Sequence, residues 1–235
     1  MAAVFVVDQT ERRRFVPLEL RALIDAGYFR ADECPSLADG RIVDAITGNV
    51  RRFTADEFEG MADLGFFDEE GGDRLELIDG EIYTMARVKS PHYAAIDRLS
   101  RVFWSSLADQ VRVRIQAPVR LERENEPQPD IALVRPRDDD YEEAHPVPSE
   151  IFLVIEVMDT SHYRDRTQKL PRYAEAGIPE VWLVDLPNAC IEVCREPVGA
   201  LYTDRRTYVR GQMIAPAAFP DVTLAVEAIL SRAQT

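Results

Sequence analysis

The chain has 235 residues, enough for one well-filled core or one domain with an appendage, and its 46% hydrophobic and 30% charged residues exclude a disordered or fibrous protein. A net charge of −14 argues against a broad basic face that holds duplex nucleic acid. The longest apolar runs, such as Ile151 to Ile155, fall far short of the roughly 18 to 20 residues of a bilayer span, and the N-terminal charges follow a short apolar stretch, the reverse of a secretory signal. The expectation is a cytoplasmic chain with no membrane partner.

Residues 1–80 hold 9 basic and 18 acidic residues against 19 and 24 in residues 81–235, so residues 1–52 read as an acidic N-terminal extension to a domain at 53–235. Of 28 basic residues only Lys89 and Lys169 are lysines. A lysine retained in so arginine-rich a chain draws notice, because a compact, titratable ammonium does chemistry a guanidinium does not. Cys34, Cys190 and Cys194 form no C-x-x-C pair, which excludes a zinc knuckle or a disulfide framework; Cys190 and Cys194 read as small hydrophobes on one face of a strand.

In chain order, residues 15–29 and 53–67 have helical spacing, the second with Thr54 as N-cap and Glu57 as its capping-box partner. The two stretches align at an offset of 38, which sets Phe15, Gly27 and Phe29 on Phe53, Gly65 and Phe67, and DGRI at 39–42 then matches DGEI at 79–82. A partial internal duplication follows, with the first copy an added helix and hairpin. Residues 75–85 alternate around Asp79-Gly80 as a hairpin. Residues 90–109 predict a helix buried through Ile96, Leu99, Val102, Phe103, Trp104 and Leu107. Strands are predicted at 111–121, 130–134 and 151–158, a helix at 164–177 that Pro171 must start or kink and Gly177 closes, strands at 180–186 and 191–196, and a short helix near the end. The order is that of an α/β protein, a mixed sheet flanked by helices with an N-terminal helix and hairpin extension.

Within this order Glu156 stands in a strand too apolar to be half exposed, so it needs a compensating cation. Either a metal or a buried arginine would serve. Asp130 opens the preceding strand after the stiff segment EPQP and could share a cleft with Glu156; it could also be a plain strand-start residue. Together with the main-chain carbonyl of Val157 the two offer hard oxygen ligands for Mg2+, with Mn2+ able to substitute. A metal so held polarises a phosphoryl oxygen and activates water, the needs of phosphodiester hydrolysis. Lys169 could reach the attacking water, or form a solvated i,i+4 pair with Asp165. Glu76 alternates with Leu75 and Leu77 and so faces either solvent or the cleft. His92 opens the long helix, placed to orient a water or phosphate or simply to cap; His145 and His162 are too scattered for a zinc site.

The runs DRLELIDGEIYTM, PHYAAIDRLSRVF, EPQPDIALVRPR, LVIEVMDTS and DRTQKLPRYAEAGIPEVWLVDL, in that order, resemble the bacterial restriction endonucleases of the Uma-two type, a branch of the PD-(D/E)xK nuclease superfamily. The resemblance covers roughly residues 53–230. It implies the restriction-endonuclease-like fold, Asp130 and Glu156 as metal ligands, and a superfamily lysine displaced from the strand, where Met158 stands, to Lys169. Glu76 and His92 match further positions near the site. The expected activity is a metal-dependent DNA endonuclease acting as a homodimer; the alternative is a catalytically silent binding or regulatory module that keeps the fold.

Overall fold

The computed structural model describes residues 11–67, 74–85, 88–159 and 164–230, which divide into two compact units. One comprises residues 10–85 with 122–126, the other residues 86–121 with 127–235. His162 and the start of the predicted helix at 164 lie at or beyond the edge of the described residues.

In the first unit, strand β1 (Glu11–Arg12) and helix α1 (Pro17–Asp25) precede a hairpin of β2 (Pro35–Ala38) and β3 (Arg41–Asp44); helix α2 (Ala55–Asp63) then precedes a hairpin of β4 (Leu75–Ile78) and β5 (Glu81–Thr84). Strand β5 is flanked by β4 and β1, both antiparallel to it. Both helices are shorter than their periodicity predicts. Their first apolar residues are extended entries tied to the hairpin turns, Phe15 N–H donating to Gly40 O and Phe53 N–H to Gly80 O, each at 2.8 Å. Thr54 Oγ1 accepts from Glu57 N–H at 3.2 Å while Glu57 Oε2 accepts from Thr54 N–H at 2.8 Å, a reciprocal cap that fixes the start of α2. Each hairpin closes on Asp-Gly with positive φ at both residues, 50° and 75° at Asp39-Gly40 and 51° and 67° at Asp79-Gly80, the turn whose twist suits antiparallel strands. Residues 1–52 are not acidic. They carry eight basic and eight acidic residues, so the excess falls on residues 53–80, with one basic and ten acidic.

In the second unit, helix α3 (Ser90–Leu107) leads into a six-stranded sheet of β6 (Arg112–Ile115), β7 (Ile131–Val134), β8 (Ile151–Met158), β9 (Glu180–Asp185), β10 (Cys190–Val198) and β11 (Leu201–Val209), in spatial order β11-β10-β9-β8-β7-β6. Only β8 and β9 are parallel, joined by a crossover that holds helix α4 (Leu170–Glu175). A two-stranded ribbon, β12 (Met213–Ile214) with β13 (Leu224–Ala225), and helix α5 (Val226–Ile229) complete the unit. Strands β11, β12 and β13 were not expected, because residues 199–225 alternate poorly and carry charges at the sheet edge. Strand β6 stops at Ile115 rather than 121, since Gln116 takes φ +48° and turns the chain out of the ladder.

The sheet buries its two faces in two cores. Ile131, Leu133, Leu153, Ile155, Val157, Trp182 and Val184 meet α3 and α5, while Ala132, Val134, Val154, Met158, Val181 and Leu183 meet Leu170, Tyr173 and Ala174 of α4. On α3 the buried stripe is Ala95, Ile96, Leu99, Phe103 and Leu107; Trp104, expected within it, is 57% exposed because it lies one position, about 100°, past Phe103. Among the described residues no helix is long and apolar enough to cross a membrane.

A Cβ on Gly80 would lie 2.7 Å from Cβ of Arg52, whereas one on Gly177, also at positive φ, meets nothing within 4 Å. Gly80→Ala is therefore expected to cost about 2–3 kcal/mol in urea unfolding and Gly177→Ala about 1 kcal/mol; equal losses would contradict the tight turn.

Candidate active site

The register Ile131↔Ile155 between β7 and β8 places Asp130, one residue before β7, opposite Glu156. Both belong to the face of the sheet that meets α4, the parity of Ala132 and Val134 on one strand and of Val154 and Met158 on the other. Asp130 and Glu156 are 6% and 2% exposed, so two carboxylates share one buried strand end.

Their surroundings set them apart. Asp130 Oδ2 accepts the backbone N–H of Val157 at 2.8 Å, and Oδ1 lies 2.8 Å from His92 Nε2 and 3.2 Å from Gln116 Nε2. Burial by itself would raise the Asp130 pKa, but the His92 hydrogen bond and charge, the Val157 amide and Lys169 outweigh it, and the pKa is lowered. Glu156 goes the other way. Burial drives it up first, Asp165 and Asp130 add to this, Lys169 and the Tyr173 hydroxyl oppose it, and the result is a pKa of about 8. Its Oε1 accepts from Tyr173 Oη at 2.6 Å and from Lys169 Nζ at 3.2 Å. Among the described residues these bonds reach Oε1 alone.

Lys169 reaches Glu156 through an unusual piece of helix. Asp165–Lys169 form a π-helical turn, with Leu170 N–H donating to Asp165 O, before α4 begins. Pro171 lacks an N–H for Thr167, so the ordinary ladder cannot start there, and the wider turn is the local solution. The turn buries both Asp165 and Lys169, whose side chains are 3.6 Å apart and 5% and 3% exposed. The Lys169 and Asp165 pair is therefore no solvated surface bridge.

A second buried glutamate shows what a purely structural carboxylate looks like in this protein. Glu180, fully buried, accepts from Trp182 Nε1 at 2.7 Å, from Arg195 Nε and Nη2 at 2.9 and 2.7 Å, and from Ala217 N–H at 2.6 Å. It has a guanidinium of its own. Among the described residues Glu156 has only an ammonium shared with Asp165.

Residues 55–227 match the Uma2 family, described as "putative restriction endonuclease". The chain belongs to this family. The fold is shared with a solved structure described as "a putative nuclease belonging to DUF820" from Anabaena variabilis ATCC 29413, with TM-score 0.60 at 17% identity over 75% of this chain and 97% of that one. At that identity the likeness is one of fold. No curated protein matches the sequence.

In this Uma2 protein the structure brings together Asp130, Glu156, Lys169, His92 and the backbone of Val157, all in the sheet unit. His92 does not point a free imidazole at solvent; it is 4% exposed and engaged with Asp130. Glu76 belongs to the helix and hairpin unit, buried on β4 opposite Tyr83. Sequence reasoning missed Tyr173 and Gln116. Tyr173 stands four residues after Lys169, a spacing that signals a shared helix face, whereas nothing in the sequence marks Gln116. Cys194 is buried with its pKa pushed up to about 12 by burial first, and it takes no part.

The raised Glu156 pKa has a stability consequence. Unfolded, the carboxyl ionises near its ordinary 4.5, while folded it keeps its proton to about 8, so the stability it permits below pH 4.5 is lost as pH rises through that window. Glu156→Gln is expected to leave metal-free stability unchanged at pH 4 and to raise it at pH 8 by on the order of 1 kcal/mol or more. Urea denaturation at the two pH values checks this, and a variant less stable than wild type at pH 8 would refute the protonated state.

Proposed function

We propose that the protein is a metal-dependent DNA endonuclease whose active site is Asp130, Glu156, Lys169 and His92. The observation that carries this reading is Glu156: an acidic side chain fully inside an apolar strand, beside a second carboxylate, without the guanidinium that satisfies Glu180. Such a group is stable either protonated or beside a further cation.

The donors suit a hard divalent ion. Asp130 and Glu156 supply carboxylate oxygens, and the N–H and C=O of one strand residue point to the same edge, so the carbonyl of Val157 is directed to the side from which its amide bonds Asp130. Mg2+, or Mn2+ in its place, would be held by these three and would supply a polarised phosphoryl oxygen and an acidified water. The protein's own groups do the remainder. His92 donates from Nε2 to the ionised Asp130, fixing its rotamer, and the Val157 amide fixes the other oxygen. Tyr173 holds Glu156 Oε1 and leaves Oε2 to the ion. Lys169, held between Glu156 and Asp165, presents a proton-bearing ammonium to the developing negative charge of the phosphorane. One such site per chain cuts one strand, so a double-strand cut calls for two chains, most simply a homodimer.

A second reading, a binding or regulatory module that retains the fold without cutting, is favoured by the net charge of −14, since few phosphates can be neutralised. Metal binding separates the two. For the nuclease, calorimetric titration with Mn2+ at pH 7 in buffers of different ionisation enthalpy is expected to show release of about one proton per ion, from Glu156, with affinity rising toward pH 8. Absence of binding at millimolar metal favours the silent module.

Cleavage provides the second test. Plasmid or single-stranded DNA should be cut with Mg2+ or Mn2+, Glu156→Ala should abolish the activity, and Lys169→Met should lower kcat by on the order of 100-fold while metal affinity persists. Cleavage that survives Glu156→Ala would sink the assignment.

A further inference from the structure

Within the helix and hairpin unit, the contacts between its two halves come in exchanged pairs. Arg13 N–H donates to Ile82 O and Arg51 N–H to Ile42 O, each at 2.8 Å. The Arg13 guanidinium reaches Phe66 O at 3.3 Å and lies over the Phe67 ring at 5.5 Å; that of Arg51 reaches Tyr28 O at 3.5 Å and lies over the Phe29 ring at 6.0 Å. Residues 13, 28 and 29 correspond to 51, 66 and 67 at the offset of 38, and Ile42 to Ile82 in the hairpins. These contacts from the first half to the second are thus repeated from the second to the first.

Contacts inside each half repeat as well. Arg13 pairs with Glu19 and Arg51 with Glu57, each at 2.5 Å, while Glu19 and Glu57 each accept the N–H at their helix entry at 2.8 Å. Phe15 and Phe53, equivalent residues, touch each other with ring centroids 5.8 Å apart. Equivalent residues meet only on a two-fold axis, and reciprocal contacts are the signature of an isologous dimer interface. Their joint core of Phe15, Leu23, Ile42, Phe53, Phe58, Met61 and Ile82 is buried.

The family match begins at residue 55, so the matched length holds one helix and hairpin, not two. We propose that residues 11–49 occupy, inside a single chain, the place of a second subunit. The helix and hairpin at 50–85 is a self-complementary pairing element, and its partner is a second copy of the same element, here supplied in cis by residues 11–49. The occupied face is closed to another chain, so two chains that cooperate in a double-strand cut meet elsewhere. The inference is independent of the nuclease reading, because it concerns association and not cleavage.

Two measurements on the full chain test it. Arg12 and Tyr83 are cross-strand partners of β1 and β5, so Arg12→Cys with Tyr83→Cys, in a Cys34→Ser background, should oxidise to an intrachain link; a disulfide-linked dimer overturns the proposal. Phe15→Asp displaces the first half and should double the weight-average mass in sedimentation equilibrium relative to wild type, and adding Phe53→Asp should return it to the wild-type value. Near-UV circular dichroism of Trp182, buried in the other unit, reports whether the sheet unit of each variant is folded, and far-UV circular dichroism reports whether the helices are kept. A folded Phe15→Asp chain with unchanged mass overturns the proposal. Should that variant not fold, Arg13→Ala, which removes the guanidinium that reaches Phe66 O, Phe67 and Glu19, is expected to raise the mass in the same direction with weaker association, and no change in its mass overturns the proposal equally.

Discussion

A carboxylate placed inside an apolar strand constrains everything around it. Glu156 cannot turn to water, because β8 is covered on both faces, and among the described residues its hydrogen bonds come from Lys169 and Tyr173, not from an arginine. Three features answer that one problem: a lysine brought in from the crossover helix, a tyrosine hydroxyl on the same oxygen, and a pKa lifted until the group can stay neutral. Glu180, on the adjacent strand, is equally buried and has its charge met in full by Arg195. Among the described residues, Glu180 has its charge met by a guanidinium and Glu156 does not, a contrast on which the proposed metal site rests.

The crossover between β8 and β9 carries out the second half of this arrangement. An α-helical start would place Asp165 and Lys169 as an ordinary i,i+4 pair; the π-helical turn before Pro171 instead buries both, and Lys169 lies between two carboxylates on different elements. Irregular helix of this kind costs hydrogen-bond quality and persists where surrounding structure fixes it. On the opposite side His92, from the first turn of α3, and Gln116, at a positive-φ bend, converge on Asp130. The site is thus assembled at the point where one strand ends, one helix begins and one crossover tightens.

The helix and hairpin unit depends on a different constraint. Each helix and hairpin presents more apolar surface than it can cover alone, and each is covered by the other through the same contacts in exchange. Two arginines do the linking, each bound to a glutamate of its own half and stacked on aromatic rings of both halves. The family match takes in one of the two, since it begins at residue 55.

By itself the sequence determined what depends on local chemistry and on pattern. The Asp-Gly hairpins, the Thr54 and Glu57 cap, the buried strand around Glu156 and the mixed sheet are all legible because turn geometry, capping and periodicity act over a few residues. The ordered set Asp130, Glu156 and Lys169 was legible too, since strand neighbours and their crossover follow from element order. Only the tertiary structure decided which partners those groups take. Trp104 left the core because a helix face is set by its neighbours, strands β11 to β13 formed at an edge with no clear alternation, and Tyr173, Gln116 and the reciprocal contacts of Arg13 and Arg51 join residues 9 to 69 positions apart. Such pairings exist only once the chain has closed upon itself, and no local preference encodes them.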